Sequence, residues 1–220
     1  MSLEARADRH SALSDTRRLL IVDSLTSSDR TVAELAGLVD LPGNLLAHHL
    51  DVLERASLIE RRVSEGDRRR RYVSLRWDSL PVGLDVALTG TTVAFVCTHN
   101  SARSQFAAAL WRESTGAEVA SAGSDPSDRV HPKAVKVASE FGVDLSRATP
   151  GGYDTLPWRP ELVVSVCDRA LEGGIPEARA HYHWSIPDPV RAGDIASFRS
   201  AFSEIARRVE HLSRATRSDS

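Results

Sequence analysis

The 220-residue sequence predicts two domains of different class: a mainly α domain that closes with a β-hairpin, then an α/β domain with a parallel sheet. Three observations predict this. Apolar residues up to about position 55 recur at helical spacing. Two short β-prone runs, 58–63 and 70–75, then flank a turn built on Gly66. Beyond residue 90, β-branched runs alternate with helical stretches, the order that builds a parallel sheet covered on both faces.

Composition narrows the function classes. Hydrophobic residues make up 41% and charged residues 26%, as in a soluble globular protein. No apolar run approaches the ~20 residues that a membrane span needs, and the opening MSLEARADRHSAL lacks a signal-peptide layout. The expectation is a cytoplasmic protein with no membrane contact, in a compartment where thiols stay reduced. Cys97 and Cys167 are too few for a disulfide framework and too far apart for a zinc knuckle. The acidic residues with His10, His48 and His49 form no metal set, so no metal is expected. A net charge of −2 gives no global basic field, but Arg61, Arg62, Arg68, Arg69, Arg70 and Arg71 form a local basic stripe.

In the first domain (residues 1–78), Leu13, Leu19, Leu20, Val22 and Leu25 form the apolar face of one helix, with Asp15-Thr16 as a cap. Thr31 caps the helix TVAELAGLV, and Glu34 three positions on completes a capping box. Pro42 fits the first turn of a helix running to about Arg55, with Leu46, Leu50 and Leu53 on its inner face. Three helices and a basic hairpin make a winged helix-turn-helix. The segments ALSDTRRLLIVDSL and TVAELAGLVDLPGNLLAHHLDVLERASLIERR with the arginine-rich hairpin, roughly residues 10–76, resemble the ArsR family of bacterial repressors. That resemblance implies a homodimer that binds operator DNA. The helix from Pro42 would enter the major groove with Asn44, Ala47, His48 and His49 facing it, and Arg68, Arg69, Arg70 and Arg71 would meet phosphates or the minor groove. The alternative is a solvated arginine face and ordinary helix-surface histidines. Many family members sense metalloids through cysteines; with none before Cys97, this domain has no thiol of its own for arsenite. Residues 79–90, with Pro81, Gly83 and Gly90, read as a linker, and the polar residues at the C-terminus as a frayed tail.

The second domain (residues 91–213) opens with the strand TTVAFVC, the loop THNSARS and the helix SQFAAALWRES. The strand AEVASAG and the helix HPKAVKVASEFGV follow, with Pro132 at the helix start. A further buried strand, ELVVSVCDRA, carries Cys167 at its end. Sites in such sheets lie beyond the carboxyl ends of strands, where both cysteines fall.

The run Cys97-Thr98-His99-Asn100-Ser101-Ala102-Arg103-Ser104 has the spacing of an oxyanion loop. Five residues between Cys97 and Arg103 can wrap a tetrahedral anion with amide N–H groups, and the following helix adds the positive end of its dipole. Arg103 can donate to two oxygens at once. The positive surroundings suit a thiolate nucleophile at Cys97. Ser101 and Ser104 can donate to the loop or the sulfur, and Asn100 tolerates the positive φ that a tight loop demands. Near the C-terminus Asp188 stands between Pro187 and Pro189, a stiff loop that can aim a carboxyl as general acid.

Taken together, FVCTHNSARSQ, Ser121–Gly123, HPKAV, VVSVCDRA and HWSIPDP resemble the low-molecular-weight protein tyrosine phosphatase fold, and within it the arsenate reductases. The resemblance implies a four-stranded parallel sheet flanked by helices. His99 departs from it, because relatives often carry glycine there. Two reactions follow from the resemblance. A phosphatase needs one thiol. A reductase of arsenate to arsenite needs a second thiol to attack the arseno-cysteine, and VCDRA at Cys167 resembles the segment of that resolving cysteine. Cys167 reads equally as a small core residue. Relatives with an internal relay often have a third cysteine, and LEGGIPEARA has none. The implied partners are therefore arsenate or phosphate and an external thiol reductant (mycothiol, glutathione or a thioredoxin-type protein), with no tightly bound cofactor. A third reading is a repressor whose C-terminal domain only senses oxyanion.

Overall fold

The computed structural model describes residues 2–77 and 91–214. The linker expected at 79–90 and the tail beyond 214 lie outside these residues. The chain divides into two compact units.

Among the described residues the N-terminal unit holds four helices and a small antiparallel sheet. The single first helix expected from the sequence is two helices, α1 (Leu3–Leu13) and α2 (Thr16–Leu25). Asp15 causes the break. Its carboxylate accepts from the amides of Arg17 at 2.9 Å and Arg18 at 3.0 Å, which makes it the N-cap of α2. The apolar face shifts accordingly: Ala12, Ile21, Val22 and Leu25 are buried, whereas Leu19 and Leu20 are exposed by 44% and 42%. After the short strand β1 (Arg30–Thr31), α3 (Val32–Val39) begins at the expected capping box of Thr31 and Glu34. Asp40 ends it in the left-handed conformation. Helix α4 (Gly43–Arg55) starts one residue later than expected, with Pro42 as its N-cap, and buries Leu46, Leu50 and Leu53. Strands β2 (Ile59–Val63) and β3 (Arg71–Leu75) pair antiparallel, and β1 joins the other edge of β3. Leu35, Leu46, Leu50, Leu53, Leu58 and Val73 centre the core of this unit.

The C-terminal unit is built on a four-stranded parallel sheet in the order β5-β4-β6-β7. Strand β4 (Val93–Cys97) is central and buried along its whole length. It is followed by α5 (Arg103–Thr115), β5 (Val119–Gly123), α6 (Pro132–Glu140), β6 (Leu162–Ser165), α7 (Asp168–Gly173), β7 (Ala180–His183), α8 (Pro189–Ala192) and α9 (Ile195–Arg214). One sheet face packs Val93, Phe95 and Val164 against Phe106, Trp111, Val137, Phe198 and Phe202 from α5, α6 and α9. Burying aromatic rings of this size contributes about 1.5–3 kcal/mol each. The other face is thinner. Ala94, Val96, Ala122 and Val163 are covered by Tyr153, Leu156, Trp158 and Ile175, which come from connecting segments rather than long helices. No helix among the described residues is long and apolar enough to cross a membrane.

Candidate active site

Cys97 is the last residue of β4, and the chain leaves the sheet there to circle before entering α5 at Arg103. The loop is shaped by its carbonyls. Those of Cys97, Thr98, His99 and Ser101 accept from the amides of Ser124 (3.2 Å), Asp125 (2.9 Å), Ser127 (3.0 Å) and His131 (2.8 Å). With these carbonyls engaged by residues 124–131, the loop amides are available to an anion, as a nest requires. Asn100 makes the tightest bend, with φ +47°. Its buried side chain donates Nδ2 to Ser104 Oγ at 2.8 Å, and its Oδ1 accepts from the Gly151 amide at 2.9 Å and from Gln105 Nε2 at 3.0 Å.

The Cys97 sulfur accepts from the Asn100 amide at 3.1 Å and lies 3.0 Å from Ser104 Oγ. Because that hydroxyl oxygen already accepts from Asn100, its own hydrogen is available to the sulfur. Arg103 is buried and donates through Nη1 to the carbonyl of Ile186 at 2.8 Å, while Nη2 stands 3.2 Å from Asp188 Oδ2. Burial disfavours its charge, yet Cys167, Asp188 and Cys97 around it hold the guanidinium above its ordinary value. Asp188 caps α8 by accepting from the Val190 amide at 3.0 Å. The acid loop is thus tied to the anion loop through one arginine. His99 is partly exposed at the rim, its Nδ1 2.9 Å from the carbonyl of Asp125.

Cys167 lies two residues past the end of β6, where it is the N-cap of α7, so the strand expected to end in this thiol stops at Ser165. Its sulfur is 3.3 Å from Thr98 Oγ1 and accepts from the Ala170 amide at 3.4 Å. Both cysteines are free thiols. Burial pushes the Cys167 thiol up and Cys97 adds to this; Arg103, Thr98 and the Ala170 amide oppose the shift without cancelling it.

The structure therefore gathers Cys97, the loop through Ser104, Arg103, Cys167 and Asp188 at one end of the sheet. Trp184 is in the core against Phe95, with ring centroids 5.7 Å apart. Sequence reasoning missed Gln105, Gly151 and the amides of residues 124–131. Backbone donors leave no mark in residue identity, although Gly123 did. A Cβ there would stand 2.5 Å from the Thr98 carbonyl oxygen and 2.9 Å from the Asn100 amide. Tyr153 was missed too. Its hydroxyl is buried, and burial pushes its pKa up to about 12, with Ser124 opposing and the two thiols adding. In the N-terminal unit Asn44, Ala47, His48 and Arg68 to Arg71 are exposed, while His49 is turned inward with Nδ1 3.7 Å from Asp15. No metal-holding cluster of His, Cys, Asp or Glu occurs among the described residues.

A thiol at the centre of an amide-lined loop, beside an arginine and an aspartate, defines a cysteine-nucleophile enzyme acting on oxyanions. The family model described as low molecular weight phosphotyrosine protein phosphatase matches residues 92–220, and the chain belongs to that family. An arsenate reductase of Halalkalibacterium halodurans is 34% identical over 128 residues, which span 54% of this chain and 91% of the relative. Among solved structures, an arsenate reductase from Archaeoglobus fulgidus superposes with a TM-score of 0.50 at 28% identity, over 56% of this chain and 98% of that one. An arsenate reductase in a phosphate-binding state gives a TM-score of 0.51 at 28% identity, over 56% and 97%. The C-terminal unit is an enzyme of this kind; residues before Thr92 lie outside the family match.

Proposed function

We propose that the protein reduces arsenate to arsenite with thiols, and that its N-terminal unit is an ArsR-like winged helix that binds operator DNA as a homodimer. One observation carries the enzymatic part: a second thiol, Cys167, is buried with its sulfur 3.3 Å from Thr98 Oγ1 in the Cys97 loop. Hydrolysis of a phosphate ester needs the Cys97 thiol alone. In the first step Cys97 attacks arsenic, Arg103 and the loop amides stabilise the oxyanion, and Asp188 donates a proton so that water leaves. In the second step the Cys167 thiolate, its proton lost to solvent, attacks the Cys97 sulfur. The S–As bond breaks with its electron pair going to arsenic, which leaves as arsenite, and a Cys97–Cys167 disulfide remains. An external dithiol or two monothiols return the disulfide to thiols. Mycothiol, glutathione with glutaredoxin, and a thioredoxin-type protein are the reductant candidates.

The DNA-binding part is supported by the exposed start of α4 with Asn44, Ala47 and His48 and by the exposed Arg68 to Arg71 between β2 and β3. Division of the protein at residues 78 and 91 belongs to this reading. A second reading, hydrolysis of aryl phosphates, is favoured by the family match itself, since Cys97, Arg103 and Asp188 suffice for it.

The test is arsenite production from arsenate by the purified full chain with each of the three reductant systems in parallel. Arsenite in any of them, absent in Cys97→Ser, supports the reductase and names its reductant. No arsenite with turnover of an aryl phosphate replaces it with the phosphatase. Silence in both assays leaves a domain that senses oxyanion.

A further inference from the structure

We propose that His183 is a positioning residue for Cys167, its one imidazole fastening the residues on both sides of that thiol. The proposal rests on the reading of Cys167 as the resolving thiol.

His183 ends β7 and is 4% exposed. Its Nδ1 lies 2.8 Å from Ser165 Oγ and its Nε2 3.1 Å from Asp168 Oδ1. Ser165 is the last residue of β6 and Asp168 the first of α7, so only Val166 and Cys167 lie between the two anchored side chains. Ser165, Asp168 and His183 are all buried. Burial opposes charge on Asp168, but hydrogen bonds from His183 and Ser185 hold its carboxyl below the ordinary value, so the acceptor is a carboxylate. One ring nitrogen thus faces the Asp168 carboxylate and the other the Ser165 hydroxyl, which also lies 3.3 Å from the Tyr182 carbonyl.

The turn needs such a fastening. Helix α7 has six residues, too few to be stable by itself. Buried polar groups in an otherwise apolar layer cost stability unless paired, and their return is a fixed geometry. The geometry fixed here is that of a sulfur that must approach the Cys97 sulfur opposite the departing arsenic. Misplacing a reacting atom by about 1 Å costs on the order of 10²-fold in rate. The partners of His183 named here, Ser165 and Asp168, lie outside the 97–104 loop, so loss of the clamp is expected to separate the two thiols in function.

The experiment uses the full chain with His183→Gln, and with Ser165→Ala as the milder variant that cuts one arm and keeps the buried His183–Asp168 pair. Three quantities are read. The first is alkylation of Cys97 by iodoacetamide and its protection by inorganic phosphate, which reports the anion loop. The second is the rate of peroxide-driven disulfide formation between Cys97 and Cys167, in which peroxide is the two-electron oxidant and is reduced to water. The third is arsenite released in a single turnover with enzyme in excess. The expected result is unchanged phosphate protection, with disulfide and arsenite formation slowed about tenfold or more in His183→Gln and by a smaller factor in Ser165→Ala. Disulfide formation at the parent rate in both variants overturns the proposal. So does a parallel loss of phosphate protection in both, which makes His183 a general structural residue. If the parent chain forms the disulfide with peroxide but releases no arsenite, the reductase reading fails while the clamp is still judged on the disulfide rates.

Discussion

The amide of His131 donates to the carbonyl of Ser101 across 2.8 Å, the last of four hydrogen bonds by which residues 124–131 hold the loop carbonyls outward. The anion loop is therefore shaped from outside by the backbone amides of a separate segment. Gly123, where that segment begins, must lie against the Thr98 carbonyl. We expect Gly123→Ala to displace the loop and lower kcat/KM for any Cys97 chemistry by about 100-fold. Steady-state kinetics on an aryl phosphate check this, and a loss of less than threefold would show that the loop does not depend on the close approach.

Asn100 combines a positive φ with three side-chain hydrogen bonds. Both Asn100→Gly and Asn100→Ala lose the bonds, but only alanine bears the steric cost of the left-handed conformation. Alanine should be the less stable of the two by about 1 kcal/mol. Urea unfolding of both variants measures the difference; equal midpoints would mean that the loop relaxes to a different backbone.

Because burial raises the Cys167 thiol, its thiolate is scarce at neutral pH and increases about tenfold per pH unit until its own pKa is passed. Arsenite formation divided by aryl phosphate hydrolysis isolates this step, since both reactions as proposed use Cys97 and Asp188. The ratio should climb from pH 7 to beyond 9.0, the ordinary cysteine value for this group. A ratio that levels off below pH 8 would mean that Cys167 ionises readily and that burial does not govern the step.

Asp15 caps α2 with two amide hydrogen bonds. Its replacement by alanine should destabilise the N-terminal unit by roughly 1 kcal/mol, seen as a shift of the urea midpoint followed at that unit's amides. The same unit allows a DNA test. Removing Arg68 or Arg70 should weaken binding to operator and unrelated DNA alike and reduce the slope of log K against log salt by about one. Asn44→Ala should instead narrow the gap between the two DNAs. Fluorescence anisotropy across a salt series separates these outcomes.

The parallel sheet and the spacing from Cys97 to Arg103 were legible because period and spacing are written in side-chain identity. The capping box at Thr31 and Glu34 was legible for the same reason. The break before α2 was harder to read. Leu19 and Leu20 continue the helical pattern, and only Asp15, a residue equally at home on a helix surface, marks the cap that rotates them to solvent. Cys167 shows a second limit. The apolar run that contains it looks like a strand to its end, but the last pairing is Val96 with Ser165, and where a ladder stops depends on the neighbouring strand. His183 carried no signal beyond its place in HWSIPDP, because its role depends on Ser165 and Asp168, eighteen and fifteen residues away.

The outward-turned carbonyls have one more consequence. A loop whose carbonyls are already held in place has little ordering left to undergo when an anion arrives, so it would accept tetrahedral oxyanions by shape and charge alone. Arsenate and phosphate differ little in either respect, and such a cradle is a poor judge between them. Discrimination then moves from affinity to reactivity: both anions compete for the same seat, and only one carries a central atom that two sulfurs can reduce. On the proposed reductase reading, abundant phosphate would slow the enzyme by occupancy without itself being reduced.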